Sequence, residues 1–252
     1  NRRRLLNVSL RKGARATTAI EGNTLSEADI EKMAAGEKLP PSKEYLRIEV
    51  QNILDALNGI RDEVIRGRKS AVLSTELIQN FHRMVGQNLG GHFQAIPGMF
   101  RESRQNVVVG TYRPPSGEDM PALVRQFCGW IRSEFKYEAG EQSFRDQIVQ
   151  AIVAHAYLAM IHPFGDGNGR TARLVEFYVL MRAGLPDIAS HILSNHYNDT
   201  RTEYYRQLDL CVRNRDLNGF IEYAVLGFRD GLNEVMDVVQ KNALAMSWRN
   251  YI

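Results

Sequence analysis

The feature that most constrains this chain of 252 residues is a glycine-rich loop that joins two apolar helical patterns. The loop has the sequence His162-Pro163-Phe164-Gly165-Asp166-Gly167-Asn168-Gly169-Arg170-Thr171-Ala172-Arg173. The preceding helix ends at His162, because the residue before a proline is pushed out of the α-helical region. A new helix begins near Asn168, so that its free backbone N–H groups and its dipole face the loop. We therefore expect two consecutive helices that meet at an anion-binding loop.

The side chains of the loop are those of a polyphosphate site with a proton acceptor beside it. Three glycines let the backbone approach a ligand closely: Gly165, Gly167 and Gly169. Arg170 and Arg173 lie three residues apart, so both can point at one anion. Asp166 is a hard oxygen ligand suited to a Mg²⁺ ion that is shared with phosphates. His162, at the start of the loop, can take a proton from an incoming hydroxyl group.

Each of these residues taken alone has a more ordinary explanation. A histidine at a helix end caps the helix, Asp-Gly is a turn dipeptide, and two arginines form a solvated helix face. Their combination in this order favours a functional site. Other phosphate or metal motifs fit less well. A P-loop needs a Gly-Lys pair, a dinucleotide fingerprint needs a preceding strand, and an EF-hand needs a glutamate where Phe177 stands.

The rest of the chain is predominantly helical by its apolar spacing. Helices are predicted over 5–20, 26–35, 43–66, 74–88, 118–136, 144–161, 168–183, 200–213 and 217–245. Residues 106–112 are rich in β-branched side chains and precede Pro114-Pro115, which predicts a short hairpin. The segment Leu39-Pro40-Pro41-Ser42 cannot continue a helix and is a predicted linker. The fold class is therefore all-α, a helical bundle with one small β-hairpin, in which 1–40 forms an N-terminal region and 41–252 the main helical region.

Composition excludes several classes of protein. A net charge of +3 is too small for nucleic-acid binding as the main task, although a pI near 8.9 permits an acidic partner. The basic opening is interpreted as a solvated helix face: Arg2, Arg3, Arg4, Arg11, Lys12 and Arg15. Cys128 and Cys211 lie in apolar helical patterns, which predicts buried thiols and a reducing, cytoplasmic location. No apolar run approaches the roughly 20 residues of a membrane span, and no signal peptide is visible.

The loop resembles the signature of Fic domains, His-x-Phe-x-(Asp or Glu)-Gly-Asn-Gly-Arg-x-x-Arg, at every fixed position. The similarity covers about 75–230 as the Fic core and includes Gly98-x-Phe100-Arg101. This resemblance implies a Fic-type helical bundle. It also implies a protein adenylyltransferase, which moves AMP from ATP to a Ser, Thr or Tyr hydroxyl of a target protein. Because the chain stops at Ile252 inside a helical pattern, we expect it to be truncated at the C-terminus.

The resemblance assigns a role to each residue of the loop. His162 would deprotonate the target hydroxyl, Asp166 would hold Mg²⁺, and Arg173 would take the γ-phosphate. The nucleotide-binding set that it implies is Gly165, Asp166, Gly167, Asn168, Gly169, Arg170, Arg173, Tyr204 and Tyr205. The hairpin resembles the family's flap, which holds the target segment by strand addition and comprises Val107, Val108, Val109 and Gly110.

A second resemblance lies near the N-terminus, in Thr17-Thr18-Ala19-Ile20-Glu21-Gly22. A glutamate in the last turn of a helix opposes the helix dipole, and Gly22 is suited to end that helix. The segment matches the inhibitory motif of Fic proteins, (Ser or Thr)-x-x-x-Glu-(Gly or Asn), in the class with an N-terminal inhibitory helix. It implies that Glu21 pairs with Arg173 in a bidentate manner and excludes the γ-phosphate.

Several alternatives remain open at this point. A Fic enzyme can carry a different phosphate-containing group, although Gly169-Arg170 keeps the adenylylating form of the loop. The helical scaffold can also serve as a non-catalytic interaction module, which the intact loop argues against. The resemblance leaves open removal of AMP from the target, self-modification and a homodimer. The target protein is not identifiable from the sequence.

Overall fold

The computed structural model describes residues 2–65, 73–103, 107–109, 112–135, 144–186 and 189–249. Within these ranges the chain forms ten α-helices. They are α1 (Arg2–Ile20), α2 (Glu27–Ala34), α3 (Glu44–Ile65), α4 (Thr75–Gly86), α5 (Met120–Glu134), α6 (Phe144–Ile161), α7 (Asn168–Arg182), α8 (Ile192–Asp199), α9 (Arg201–Asn214) and α10 (Asn218–Arg249). Short 3₁₀ turns lie at Pro41–Lys43, Gly90–His92 and Gly117–Asp119. The predicted all-α class is confirmed.

The central element is α7, which is buried on nearly every side. A helix that is buried all round requires neighbours on all faces, and α7 packs against α6, α3 and α4, with α1 near its N-terminal end. Helix α6 is also apolar on most of its surface and forms with α7 the most extensive helix pair of the fold. The glycine-rich loop joins this pair, so it is held by the core of the protein.

Helix α1 lies across the bundle and contacts α3 and α8. The contact with α8 is close at Gly13, where an added Cβ would come within 2.8 Å of the Cβ of His191. Helix α1 ends as predicted, with Gly22 in the left-handed region at φ 99°. Ser26 then caps α2, and the side chain of Asp29 accepts a hydrogen bond from the backbone N–H of Ser26. These two ends fix Glu21 between α1 and α2.

Most of the predicted helices are confirmed within a few residues of their ends. Helix α8 is missing from the prediction, because its sequence Ile192–Asp199 is rich in turn-forming polar residues. It buries Leu193 and Tyr197 completely. Both cysteines are free and buried, as predicted. Among the described residues, the structure contains no helix that is long and apolar enough to span a membrane.

The predicted hairpin is not confirmed as a pair of strands. Val109 and Tyr112 exchange two backbone hydrogen bonds of 2.9 Å and form an isolated antiparallel bridge. In the described part of this segment the pairing extends no further, because Val107 and Val108 have no partner strand beside them. Gly110, also assigned to the flap, lies outside the described residues.

The glycine at the contact between α1 and α8 generates a prediction about stability. Gly13→Ala gains helix propensity worth about 1 kcal/mol, but its methyl group overlaps His191, and such overpacking costs about 1–3 kcal/mol. We expect a lower free energy of unfolding, measured by urea denaturation.

The matched control is Gly129→Ala in the middle of α5, where an added Cβ meets nothing within 4 Å. This variant should be more stable than the parent by up to about 1 kcal/mol. Equal effects of the two substitutions would show that the close approach of α1 and α8 is not as tight as described.

Candidate active site

The glycine-rich turn, residues 162–167, begins and ends in left-handed backbone conformations. His162 has a φ of 51° and Gly167 a φ of 72°. The left-handed region is unfavourable for a residue with a side chain, and strained residues of this kind concentrate at functional sites. Gly167 caps α7, so the loop ends where the free N–H groups of that helix begin. The sequence therefore places His162 and the anion pocket at opposite ends of one tight turn.

Arg101 holds the first half of this loop. Its side chain is 5% exposed, its Nε donates to the carbonyl of His162 at 2.9 Å, and its backbone N–H donates to the carbonyl of Pro163 at 3.0 Å. A second guanidinium nitrogen donates to the carbonyl of Pro115. Since a buried guanidinium must satisfy its donors, these carbonyls and Arg101 stabilise one another. This contact explains how the strained backbone at His162 is retained.

The second half of the loop is held by His82, which the sequence analysis did not single out. Its Nδ1 accepts a hydrogen bond from the backbone N–H of Gly98 at 2.9 Å, so Nε2 carries the proton and donates to the carbonyl of Asp166 at 3.0 Å. The ring stacks on Phe164 with centroids 3.7 Å apart. Burial lowers the pKa of His82 to about 4, which keeps the ring neutral. The position of a histidine on the buried face of α4 is the sequence feature that could have pointed to this role.

The ring of His162 is oriented for accepting a proton. Its Nδ1 lies 3.3 Å from the carbonyl oxygen of Ala159. A carbonyl can only accept, so Nδ1 carries the hydrogen in the neutral ring and Nε2 keeps a free lone pair. Burial lowers the pKa of His162, with the carbonyl of Ala159 opposing that effect. The neutral form, which a general base requires, is therefore favoured at neutral pH.

Asp166 and Arg170 form an ion pair at the centre of the loop. One carboxylate oxygen of Asp166 accepts from Arg170 at 3.0 Å, and the other accepts from the backbone N–H of Gln94 at 3.1 Å. Arg170 also pairs with Glu49 of α3 at 2.6 Å, and no sequence pattern predicts this contact. Asn168 spans the turn with its side chain, donating to the carbonyl of Phe164 and accepting from its N–H. The side-chain amide of Asn168 therefore fixes the loop.

The structure brings Glu21 and Arg173 together across 152 residues. The carboxylate of Glu21 lies 2.5 Å from one amino group of Arg173, and that group also donates to the carbonyl of Thr17 at 3.0 Å. The expected bidentate contact is wrong, because the second amino group is directed to the hydroxyl of Tyr204 at 3.3 Å. Burial alone would lower the pKa of Arg173, but the Glu21 carboxylate outweighs it and raises that pKa.

The carboxylate of Glu21 also covers the first turn of α7. An added Cβ on Gly169 would collide with an oxygen of this carboxylate. The first turn of a helix presents unpaired N–H groups and a positive dipole end. Glu21 thus occupies the position where a helix N-terminus binds an anion.

Tyr204 and Tyr205 have different environments. Tyr204 is 2% exposed, and its hydroxyl oxygen is hydrogen-bonded to Nε2 of His155 at 3.0 Å. Burial raises its pKa. Tyr205 is 41% exposed, and its hydroxyl donates to the carbonyl of Ile20 at 3.1 Å. Tyr204 therefore accepts a hydrogen bond from the buried Arg173, whereas Tyr205 binds the C-terminal end of α1, next to Glu21.

A cavity of about 630 Å³ opens beside the loop. Its walls include Glu21, His162, Gly169, Tyr204 and Tyr205. Val109 and Tyr112 close one side of it, and the hydroxyl of Tyr112 donates to the carbonyl of Met160 on α6 at 3.0 Å. The candidate base, the N-terminus of α7 and the region assigned to the flap therefore face a single space.

The comparisons with known proteins agree with this geometry. Residues 72–180 match the Fic/DOC family. Two curated relatives are the protein adenylyltransferase Fic of Nematostella vectensis, which is 30% identical over 208 residues, and that of Culex quinquefasciatus, 32% identical over 215 residues. Each alignment covers 82% of this chain, but 44% and 38% of the respective relative. The chain thus spans less than half the length of these relatives.

Solved structures give the same result for the fold. A Fic family protein from Desulfovibrio desulfuricans G20 superposes with a TM-score of 0.74 at 21% identity, covering 93% of this chain and 66% of that one. A Fic-1 segment from C. elegans has a TM-score of 0.67 at 27% identity, with 92% and 64% covered. The loop, the fold and these similarities lead to one conclusion: the chain contains a Fic domain and belongs to the Fic/DOC family.

Proposed function

We propose that this protein transfers AMP from ATP to a Ser, Thr or Tyr hydroxyl of a target protein, and that Glu21 restrains it in the conformation described. The observation that carries the proposal is the position of His162. His162, whose Nε2 keeps a free lone pair, lines the same cavity as Gly169 in the first turn of α7 and as Glu21, the partner of Arg173. A base beside an anion pocket is the arrangement that nucleotidyl transfer to a hydroxyl requires. The names of the curated relatives support the same activity.

The chain's own groups divide the work between them. His162 accepts the proton of the target hydroxyl as its oxygen bonds to the α-phosphorus, and pyrophosphate leaves with the electrons of the broken P–O bond. The N–H groups at the start of α7, with Gly167, Asn168 and Gly169, stabilise charge on the phosphate oxygens. Arg173 holds the terminal phosphate once Glu21 has left. The segment of Val109 and Tyr112 lies beside the cavity, where an extended target segment would pass.

Asp166 fits a magnesium ion. Its side chain is 28% exposed, and within the described residues one of its carboxylate oxygens accepts only one hydrogen bond, from the backbone N–H of Gln94 at 3.1 Å. In the described part of the chain, no group of three or more His, Cys, Asp or Glu is placed to hold a metal. A magnesium ion here would therefore be shared between Asp166 and the nucleotide, as is common at phosphate-transfer sites. When bound, it would neutralise charge on the departing pyrophosphate.

Restraint by Glu21 follows from charge and position. The carboxylate neutralises Arg173, whose side chain is 1% exposed, and it lies against Gly169. A terminal phosphate would need the same guanidinium and the same space. Both anions cannot occupy it, because like charges at this distance repel strongly in a site of low dielectric constant. Glu21 and the γ-phosphate are therefore competitors.

Removal of this competitor should activate the protein. Glu21→Gly should raise AMP transfer or self-modification by roughly 5- to 150-fold, the range of typical coupling free energies. Incorporation of radiolabelled AMP into the chain itself and into lysate proteins measures it. Glu31→Gln, an exposed residue of α2, is the control and should not change the rate. Incorporation in Glu21→Gly no higher than in the parent would contradict the proposal.

Loss of the base should separate binding from chemistry. In the Glu21→Gly background, His162→Ala should lower transfer by about 10²- to 10⁴-fold, while calorimetry still detects ATP binding. His92→Ala, an exposed histidine that stacks on Tyr45, is the control. Transfer that survives in His162→Ala would show that another group takes the proton.

The pH dependence follows from the sign of the His162 shift. The base acts in its neutral form, and burial lowers its pKa below the ordinary value of 6.5. In the Glu21→Gly protein, kcat/KM should therefore be constant at neutral to alkaline pH and fall on acidification, with a midpoint below pH 6.5. The measurement is a pH profile of radiolabelled transfer between pH 5 and 8. A midpoint at or above pH 6.5 would contradict a buried base.

A further inference from the structure

Arg170 is a buried cation that lies between two carboxylates. Its side chain is 6% exposed, with one amino group 2.6 Å from Glu49 and the other 3.0 Å from Asp166. Glu49 belongs to α3 and is 121 residues away in sequence. A buried guanidinium needs a compensating charge, and either carboxylate alone could supply it. The presence of both leaves the cluster with a net charge of −1.

This charge count decides what Asp166 is free to do. With Glu49 present, Arg170 is already neutralised, so the charge of Asp166 remains available to attract a cation. Without Glu49, Asp166 would become the sole counter-ion of Arg170 and the cluster would be neutral. Coulomb interactions of this kind are strong in partly buried sites. The second carboxylate thus bears on metal binding through its contact with Arg170.

The position of Glu49 is itself fixed. Its second carboxylate oxygen accepts a hydrogen bond of 2.9 Å from the side-chain amide of Asn23, whose Nδ2 also donates to the carbonyl of Leu46 at 2.9 Å. Asn23 is 8% exposed, and its own Oδ1 accepts from the N–H of Leu25. Each oxygen of Glu49 therefore has a partner, and Glu49 is directed at Arg170.

We propose that Glu49 is a positioning residue of this site: it serves as the counter-ion of Arg170 and thereby releases the carboxylate of Asp166 to hold the magnesium ion of the nucleotide. The inference rests on the proposed function in so far as the ligand is a magnesium nucleotide. It assigns to α3 a part in metal binding that the loop sequence does not reveal.

The test compares nucleotide binding with and without metal. The full chain carrying Glu21→Gly is titrated by calorimetry with α,β-methylene-ATP, whose α–β link cannot be cleaved, in Mg²⁺ or in EDTA. The readout is the metal ratio, the Kd in EDTA divided by the Kd in Mg²⁺. Adding Glu49→Gln should tighten the metal-free complex and weaken the magnesium complex, which lowers the ratio about tenfold. A purely structural role of Glu49 would weaken both complexes and leave the ratio unchanged.

Two further variants keep the result decisive. Glu49→Gln with Arg170→Gln returns the cluster to −1 and should restore the metal ratio. Arg170→Gln alone makes it −2 and should raise the ratio, which gives an answer even if Glu49→Gln does not fold. Glu44→Gln, on the same helix but paired with Arg47 at the surface, should change nothing.

An unchanged ratio in Glu49→Gln, or no recovery in the double variant, would overturn the inference. Where Glu49→Gln does not fold, an unchanged ratio in Arg170→Gln would overturn it. Failure of the proposed function has a different signature. In that case Glu21→Gly transfers no AMP to any protein, although the metal ratio still responds to Glu49. The two outcomes are measured separately because the calorimetric titration involves no group transfer.

Discussion

The structure depends on the compensation of three buried guanidinium groups at one end of the α6–α7 pair. Arg101 is 5% exposed and is satisfied by backbone carbonyls, including that of His162. The amino groups of Arg170 are paired with two carboxylates, and those of Arg173 with Glu21, a carbonyl and a tyrosine hydroxyl. Burying such charges unpaired costs several kcal/mol each. The surrounding helices must therefore bring these partners to the loop, and the arrangement of the bundle follows that requirement.

The three arginines are compensated by groups of different kinds, and these groups differ in how firmly the fold holds them. The carbonyls around Arg101 belong to the loop itself and to the segment before α5, so they leave only if the fold is lost. Glu49 lies on a core helix and is held by Asn23. Glu21 is held least, because its side chain is 29% exposed and shares one amino group of Arg173 with a carbonyl. An external anion can replace this last partner without disturbing the other two.

The sequence predicted the parts of the site that are contiguous and missed those that come from a distance. The loop from His162 to Arg173 is a local pattern, so its turn, its glycines and the helix after it were predicted. Glu21 was found through its motif. His82 and Glu49 have no such motif: each is an ordinary residue of an amphipathic helix, and tertiary packing alone brings it to the loop. Helix α8 was missed because its stability comes from burying Leu193 and Tyr197, which outweighs its polar composition.

The anchoring of α1 bears on the restraint that we propose for Glu21. Helix α1 and the turn after it are attached by contacts that do not use the Glu21 side chain: Ser9 to His191, Asn23 to Leu46 and the carbonyl of Ile20 to Tyr205. Displacement of the whole helix would break all of these contacts, whereas rotation of the Glu21 side chain breaks one ion pair. A γ-phosphate arriving at Arg173 would replace that pair with another, so the net cost of the exchange is small. On the proposed function, control would therefore reside in the relative affinity of two anions for one guanidinium, and the helix would remain docked in both states.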